Sequence, residues 1–387
     1  MCGIVAVVGQ YDRSTFKGMV KSIAHRGPDE QATYELPGRI ALGIQRLSIM
    51  DVAYGQQPIV KASAGVALVC NGEIYNHLEI RAAADTSAIF ASGSDVEAIL
   101  YLYQKHGVGM LPLIDGMFAF ALYDSVGDDF LVGRDRFGIK PLYYVRDGDS
   151  WMFASEVKAF LSTECAQESI REVPPGSLVT RRGIQRWYLQ SIPLFPSSQE
   201  PSAVRYLLES SVAKHLQADH GIRVGIFLSG GLDSSVLAAL ASRHRPDIVG
   251  FTIGTGDSPD VFAARRVAKY LGIRLVECPL SLDHAYRRLS EAVRVTESYN
   301  AATVLEGLLT MMLAEAAASE GIKIILSGEG ADEIFAGYGF LRDLDTSELT
   351  HARQTLLANI GSTECRRLDR ATMAYSVEAR VPFLDPA

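Results

Sequence analysis

The run Ser229-Gly230-Gly231-Leu232-Asp233-Ser234-Ser235 constrains this chain more than any other stretch. Val224-Gly225-Ile226-Phe227-Leu228 precedes it, an apolar run of the kind that forms a buried strand. Val236 to Ser242 follows and reads as the start of a helix. The glycines and hydroxyls are therefore expected on a strand-to-helix turn. Glycine lets backbone N–H groups come close to a ligand there, and a helix N-terminus favours negative charge. Three serines add donors for phosphate oxygens, and Asp233 offers a carboxylate to a magnesium ion on the same phosphates. The Gly-Lys-Ser/Thr end of a Walker-type P-loop is missing. A plain glycine-rich turn is the alternative for a bare Ser-Gly-Gly, and the full run behind an apolar strand argues against it.

The surrounding segments repeat the strand–helix alternation. Ala203 to Gln217 has helical apolar spacing at Val204, Leu207, Leu208 and Val212. Ile248 to Gly254 reads as a strand, Phe262 to Tyr270 as a helix, and Arg274 to Glu277 as a further strand. Ile322 to Leu326 is another apolar segment, ending in Ser327-Gly328-Glu329-Gly330-Ala331-Asp332-Glu333. Such alternation implies a doubly wound parallel sheet, whose ligand crevice lies at the carboxyl ends of the strands. Both glycine-rich acidic loops should face it.

The first half carries a different signature. A small residue after Met1 allows the methionine to be removed, leaving Cys2 with a thiol and a free α-amine. With pKa values of about 8.5 and about 8, these form a self-contained nucleophile and base. Gly3 to Val8 is apolar and β-branched, which places the cysteine at the head of a buried strand. Read alone, Cys2 is better taken as an incidental cysteine at a frayed terminus. Other segments bear on the choice. His25-Arg26-Gly27-Pro28-Asp29 is a compact polar turn, and Gln45 to Asp51 puts Arg46 on a strand end. Asn71-Gly72-Glu73-Ile74-Tyr75-Asn76 follows the strand Val66 to Cys70. Gly93-Ser94-Asp95 opens a helix through Glu97 to Tyr103, and Gly133 to Gly138 precedes the strand Leu142 to Val145.

A chain of 387 residues suggests two domains, and the Pro- and Ser-rich stretch 191–202 reads as the linker between 1–190 and 203–387. The net charge of −8 argues against a nucleic-acid or membrane-surface partner. Five scattered cysteines without a CxxC pair disfavour a disulfide framework or a zinc site. No apolar run reaches spanning length and the N-terminus lacks a basic n-region, so a cytoplasmic protein is expected.

Taken together and in this order, the segments of residues 2–190 resemble the class II glutamine amidotransferase domain. The resemblance implies an N-terminal-nucleophile fold, two antiparallel sheets between helical layers. It implies that Cys2 attacks the side-chain amide of glutamine, with Asn71 and the Gly72 N–H as the oxyanion hole. It further implies that Arg46 takes the substrate α-carboxylate, that Glu73 and Asp95 take its ammonium, and that Ile49 lines the same site.

From Ala203 onward the chain resembles the synthetase domain of glutamine-hydrolysing asparagine synthetases. The resemblance implies ATP and Mg2+. ATP would contact Leu228, Ser229, Gly230, Gly231, Asp233, Ser234, Ser235 and Ile253, and Ser327-Gly328 would close over the nucleotide. Asp233 and Asp332 match acidic positions around the magnesium–pyrophosphate. Glu329 matches the glutamate tied to forming an acyl-adenylate, and Ser376 to Asp385 also follows the family pattern. Ammonia would cross an internal tunnel to an adenylated carboxylate, releasing an amide and AMP. Glutamine, ATP and aspartate or another carboxylic acid are the small-molecule partners; the oligomeric state is left open, a homodimer included.

Two departures stand out. The family's acceptor-side segment, usually like Thr-Thr-Ile-Arg-Ala-Ser, is Ala302-Thr303-Val304-Leu305-Glu306-Gly307 here, so a threonine and an arginine have become Ala302 and Leu305. That opens a second reading, the same chemistry on a different carboxylic acid, while Glu329 and the VEARVPFLD segment favour aspartate. The sequence ends at Pro386-Ala387, where family members continue with more helices and a lysine assisting amide formation. The expectation is a glutaminase independent of that part and a synthetase that leans on it. A homologue that only binds nucleotide or a partner is the third reading.

Overall fold

The computed structural model describes residues 2–85, 89–189 and 201–386. The chain forms two compact units, Met1–Leu189 and Gln190–Ala387. The expected linker lies outside the described residues over 191–200, and its last two residues already belong to a helix.

In the first unit the described strands form two antiparallel sheets. They are β1 (Cys2–Val8), β2 (Glu30–Leu36), β3 (Ile40–Arg46), β4 (Ile59–Lys61), β5 (Val66–Ile74), β6 (Gly116–Asp124), β7 (Asp129–Arg134), β8 (Tyr143–Asp147), β9 (Ser150–Ala154), β10 (Arg171–Glu172), β11 (Ser177–Thr180) and β12 (Gly183–Arg186). One sheet runs β10-β8-β9-β1-β3-β2 and the other β12-β11-β7-β6-β5-β4. The helices are α1 (Arg13–Ser22), α2 (His77–Ala82) and α3 (Glu97–His106).

The period-two geometry of strands explains the layers. Cys2, Ile4, Ala6 and Val8 of β1 join Ala67, Val69, Ala119 and Ala121 in the core between the sheets. Val5 and Val7 point the other way, onto Phe16, Met19 and Val20 of α1. Leu68 and Cys70 of β5 likewise join Ile99 and Leu102 of α3. With both faces covered, the central strands read as continuous apolar runs rather than alternating ones. This is the expected helix–sheet–sheet–helix sandwich of the N-terminal-nucleophile class. One boundary is corrected. β5 does not stop at Cys70 but pairs with β6 through Ile74, so Asn71 and Gly72 lie inside a strand.

The second unit contains α4 (Pro201–His215), β13 (Arg223–Phe227), α5 (Leu232–His244), β14 (Val249–Gly254), α6 (Pro259–Leu271), β15 (Arg274–Pro279), α7 (Leu282–Thr296), α8 (Ala301–Ser319), β16 (Ile322–Leu326), α9 (Ala331–Phe335), α10 (Thr346–Asn359), α11 (Glu364–Met373) and β17 (Glu378–Arg380). Its sheet is parallel throughout, in the order β15-β14-β13-β16-β17. The chain winds outward from β13 to β15, then returns to the other side of β13 for β16 and β17. The switch point therefore falls between β13 and β16, the two strands that feed the glycine-rich loops.

One helix corrects the sequence reading. α8 is long and apolar enough to cross a membrane by length and composition. Val304, Leu308 and Met311 nevertheless belong to one apolar core with Ala292 and Val295 of α7 and Ala371 of α11.

Candidate active sites

The first unit's site is built where the start of β1, the end of β3 and the later part of β5 come together. Cys2 is buried opposite Arg46 in the β1–β3 register. Its backbone nitrogen donates to Asn71 Oδ1 at 3.0 Å. Removal of Met1 turns that same nitrogen into the α-amine. Because the amide oxygen of Asn71 takes this bond, its Nδ2 is turned elsewhere, and there it is buried without a hydrogen-bond partner. An orphan buried donor costs about 1–3 kcal/mol, and this one is left available to a ligand oxygen.

Gly72 is next along the strand. A Cβ on it would sit 2.1 Å from the Met117 carbonyl oxygen, so no other residue fits. Asp95 accepts from the Ile74 N–H at 2.7 Å, and Glu73 is buried. The Cys70 thiol is pushed well above its usual range by burial first, then by Asp95, Cys2 and Glu73. Arg46 is held by Glu30 Oε2 at 3.3 Å and by the Asp51 carbonyl at 2.9 Å, while Ile49 is buried just beyond it. Gln45 is spoken for structurally, donating to the Val20 carbonyl and to Gln31.

The His25-Arg26 turn proves to be a support that the sequence left without a role. Arg26 is fully buried; its Nε donates to the Cys2 carbonyl at 3.1 Å and its Nη1 to Glu156 Oε1 at 2.7 Å. His25 and Lys158 reach the same carboxylate. Burial alone would raise the Glu156 pKa, but Lys158, His25 and Arg26 outweigh it and hold the carboxyl well below its usual range. A buried ion cluster thus fixes the head of β1.

In the second unit a cavity of about 430 Å³ opens where β13 and β16 end. Leu228, Ser229, Gly231, Asp233, Ser234, Ile253, Ser327, Gly328, Glu329 and Asp332 all line it. Two expected residues do not. Gly230 and Ser235 face a separate groove with Ala263 and Val267 of α6. The reason is helical: α5 begins at Leu232, so Asp233 to Ser235 occupy its first turn rather than the turn before it, and successive side chains fan out by about 100°. Gly230 has its own role. At φ +80, with a Cβ that would come within 2.5 Å of the Ala263 backbone, it lets the loop cross α6.

The cavity is strongly acidic. Asp233, Asp260, Glu329, Asp332, Glu333 and Glu364 line it, and Arg367 is the one guanidinium among them. Burial, then the neighbouring Asp332, push the Asp233 carboxyl above its usual range. Burial also raises Glu333, although the Tyr338 hydroxyl donates to it at 2.6 Å. Sequence reasoning singled out neither Glu333, Tyr338, Glu364 nor Arg367 as site residues. Ala302 and Leu305, the departures on the acceptor side, are exposed and do not line the cavity.

Comparison with known proteins places both units. The glutamine amidotransferase domain family matches residues 1–185, and the asparagine synthase family matches 203–359 and 343–387. Asparagine synthetase (glutamine-hydrolysing) 1 of Arabidopsis thaliana is 35% identical, covering 100% of this chain and 68% of its own length. The counterparts from Triphysaria versicolor and Oryza sativa subsp. japonica (numbered 2) are both 36% identical, with 100% and 68% covered. Among solved structures, a glutamine phosphoribosylpyrophosphate amidotransferase from B. subtilis aligns over 84% of this chain and 81% of that one. Its identity of 17% and TM-score of 0.41 are too low to argue from.

Proposed function

The chain belongs to the glutamine-hydrolysing asparagine synthetase family, and we propose that it converts aspartate to asparagine with glutamine as nitrogen donor and ATP as driving force. The observation that carries this reading is the presence in one chain of two complementary centres: an N-terminal cysteine against an amide with a free buried donor, and an acidic cavity at a switch point.

In the first centre the Cys2 sulfur attacks the side-chain amide carbon of glutamine, and the Cys2 α-amine takes and returns the proton. Asn71 Nδ2 and the Gly72 N–H hold the oxyanion. Arg46 receives the α-carboxylate, since a guanidinium fork suits it. Glu73 and Asp95 receive the ammonium, beside Ile49. Ammonia leaves first, and water then releases glutamate.

In the second centre ATP lies along Leu228 and Ile253, with its phosphates over Ser229, Gly231 and Ser234. Gly230 and Ser235 support that loop from behind rather than touching the nucleotide. A carboxylate oxygen of the acceptor attacks the α-phosphorus and pyrophosphate leaves. Glu329 stands beside the acyl-adenylate. Ammonia attacks the acyl carbon, and AMP departs with the oxygen the carboxylate supplied.

Magnesium belongs to the same reading. Six carboxylates against one guanidinium could not admit a triphosphate unaided. No described group of three or more His, Cys, Asp or Glu is arranged to hold a metal. Two carboxylates, Asp233 and Asp332, with phosphate oxygens and water completing the shell, are what Mg2+ ordinarily takes. The ion would neutralise the phosphates. A cytoplasmic location fits five cysteines of which none is in a disulfide.

Incubating the protein with glutamine, ATP and Mg2+, with and without aspartate, tests this. Asparagine and AMP should appear one for one. Cys2→Ala should abolish the glutamine-driven reaction and spare the one fed with ammonium salt. Glutamate release without aspartate-dependent AMP would favour the second reading, another carboxylic acid, which rests on Ala302 and Leu305.

A further inference from the structure

Arg367 belongs to a cluster that the protein satisfies only in part. It projects from α11 into the cavity, its side chain 13% exposed. Glu306 approaches its Nε at 3.2 Å, Glu329 its Nη2 at 3.5 Å, and Glu364 also pairs with Nη2. Yet the hydrogen bond to Glu364 is the one it makes, and its Nε is buried without a hydrogen-bond partner. Glu329 Oε2, on the opposite wall, is equally orphaned. Buried charged groups left this way are costly unless a ligand or water completes them.

We infer that Arg367 is the specificity-determining residue for the acceptor: it takes a carboxylate of the acceptor that is not the one adenylated. This rests on the reading that the chain amidates a carboxylic acid. It also accounts for Leu305, which is 55% exposed and away from the cavity, because the guanidinium is supplied from α11 instead. Charge narrows the class further. Three carboxylates around one guanidinium leave the cluster with two surplus negative charges. A plain dicarboxylate is repelled there, whereas an amino acid brings its ammonium for Glu329 and Glu364. Glu306 does not line the cavity and is half exposed, so it competes for the guanidinium from outside.

Calorimetric titration of the full chain, loaded with Mg2+ and an ATP analogue whose α,β-bridging oxygen is replaced by methylene so that no adenylate can form, with L-aspartate tests the assignment, with thermal melts of each variant as the check on folding. Arg367→Gln should weaken aspartate binding about tenfold or more, as expected for losing a hydrogen bond to a charged group. Glu306→Ala removes a half-exposed competitor while Glu329 and Glu364 still flank the guanidinium, and should tighten binding about two- to fivefold. Succinate should bind the wild type at least about tenfold more weakly than aspartate. Absent aspartate binding in the wild type, unchanged binding in both variants, or equal binding of succinate would overturn the inference. Each of these is read without turnover, so AMP release that ignores aspartate would separately overturn the function on which the inference rests.

Discussion

Asn71 allows the sharpest prediction. Its two amide atoms have separate duties: Oδ1 accepts from the Cys2 nitrogen at 3.0 Å, and Nδ2 is buried with no partner. Asn71→Asp keeps an oxygen for the Cys2 nitrogen and nearly the same shape, but replaces the free donor with an acceptor. Losing one oxyanion donor costs ~10²–10³ in kcat, or about 2.7–4 kcal/mol of transition-state stabilisation. Asn71→Ala loses both duties, and the extra hydrogen bond is worth about 0.5–1.5 kcal/mol in ordinary settings. Glutamate release from glutamine should therefore fall at least about a hundredfold in kcat for both variants. KM should move little, because in the proposed reading the substrate's α-carboxylate and ammonium go to other residues. An Asn71→Asp enzyme that keeps its kcat while its KM rises would refute the oxyanion assignment and make Asn71 a ground-state binding group.

The ion cluster under Cys2 makes two further predictions. Glu156→Gln leaves Arg26 buried with its main partner gone and should destabilise the first unit by about 3–5 kcal/mol in a denaturant melt. Because the folded-state pKa of Glu156 is depressed, its contribution is fully present above the unfolded value of about 4.3 and is lost as pH falls through the lower folded value. Acid should therefore unfold the wild type along a steeper limb than the Gln variant, and parallel limbs would contradict this. In the second unit the Asp233 pKa is raised, so its charge opposes folding above the unfolded value. Asp233→Asn should leave the metal-free melting temperature unchanged or higher while erasing the stabilisation that Mg2+ and ATP give the wild type; a variant still stabilised by both would remove Asp233 from the metal's shell.

The switch point was legible because the apolar runs before Ser229 and Ser327 leave few alternatives to buried strands, and parallel strands direct both loops to one edge. Where α5 begins was not. Gly231 caps it without a side-chain hydrogen bond, so no capping residue marks the boundary. That one uncertainty decides which serines face the cavity, and it sent Ser235 to the wrong side. β5 hid its end for a related reason: Asn71 and Glu73 look like loop residues until pairing with β6 buries them. β17 is hidden more deeply, since Glu378 and Arg380 are fully buried and pair with each other, cancelling the polarity that would mark a surface segment. Arg367 carries no local signal at all. Only the packing of α11 against α8 brings it to Glu306, and the SGEGADE loop then supplies Glu329.

The central claim is that the acidic cavity joins AMP to a carboxylate before ammonia arrives. Aspartate labelled with oxygen-18 in its side-chain carboxylate tests it directly. In that chemistry the carboxylate oxygen attacks the α-phosphorus and leaves on AMP, so mass spectrometry should find one labelled oxygen in each AMP and none in pyrophosphate. Label in inorganic phosphate, or AMP without label, would contradict adenylation and with it the role assigned to the cavity.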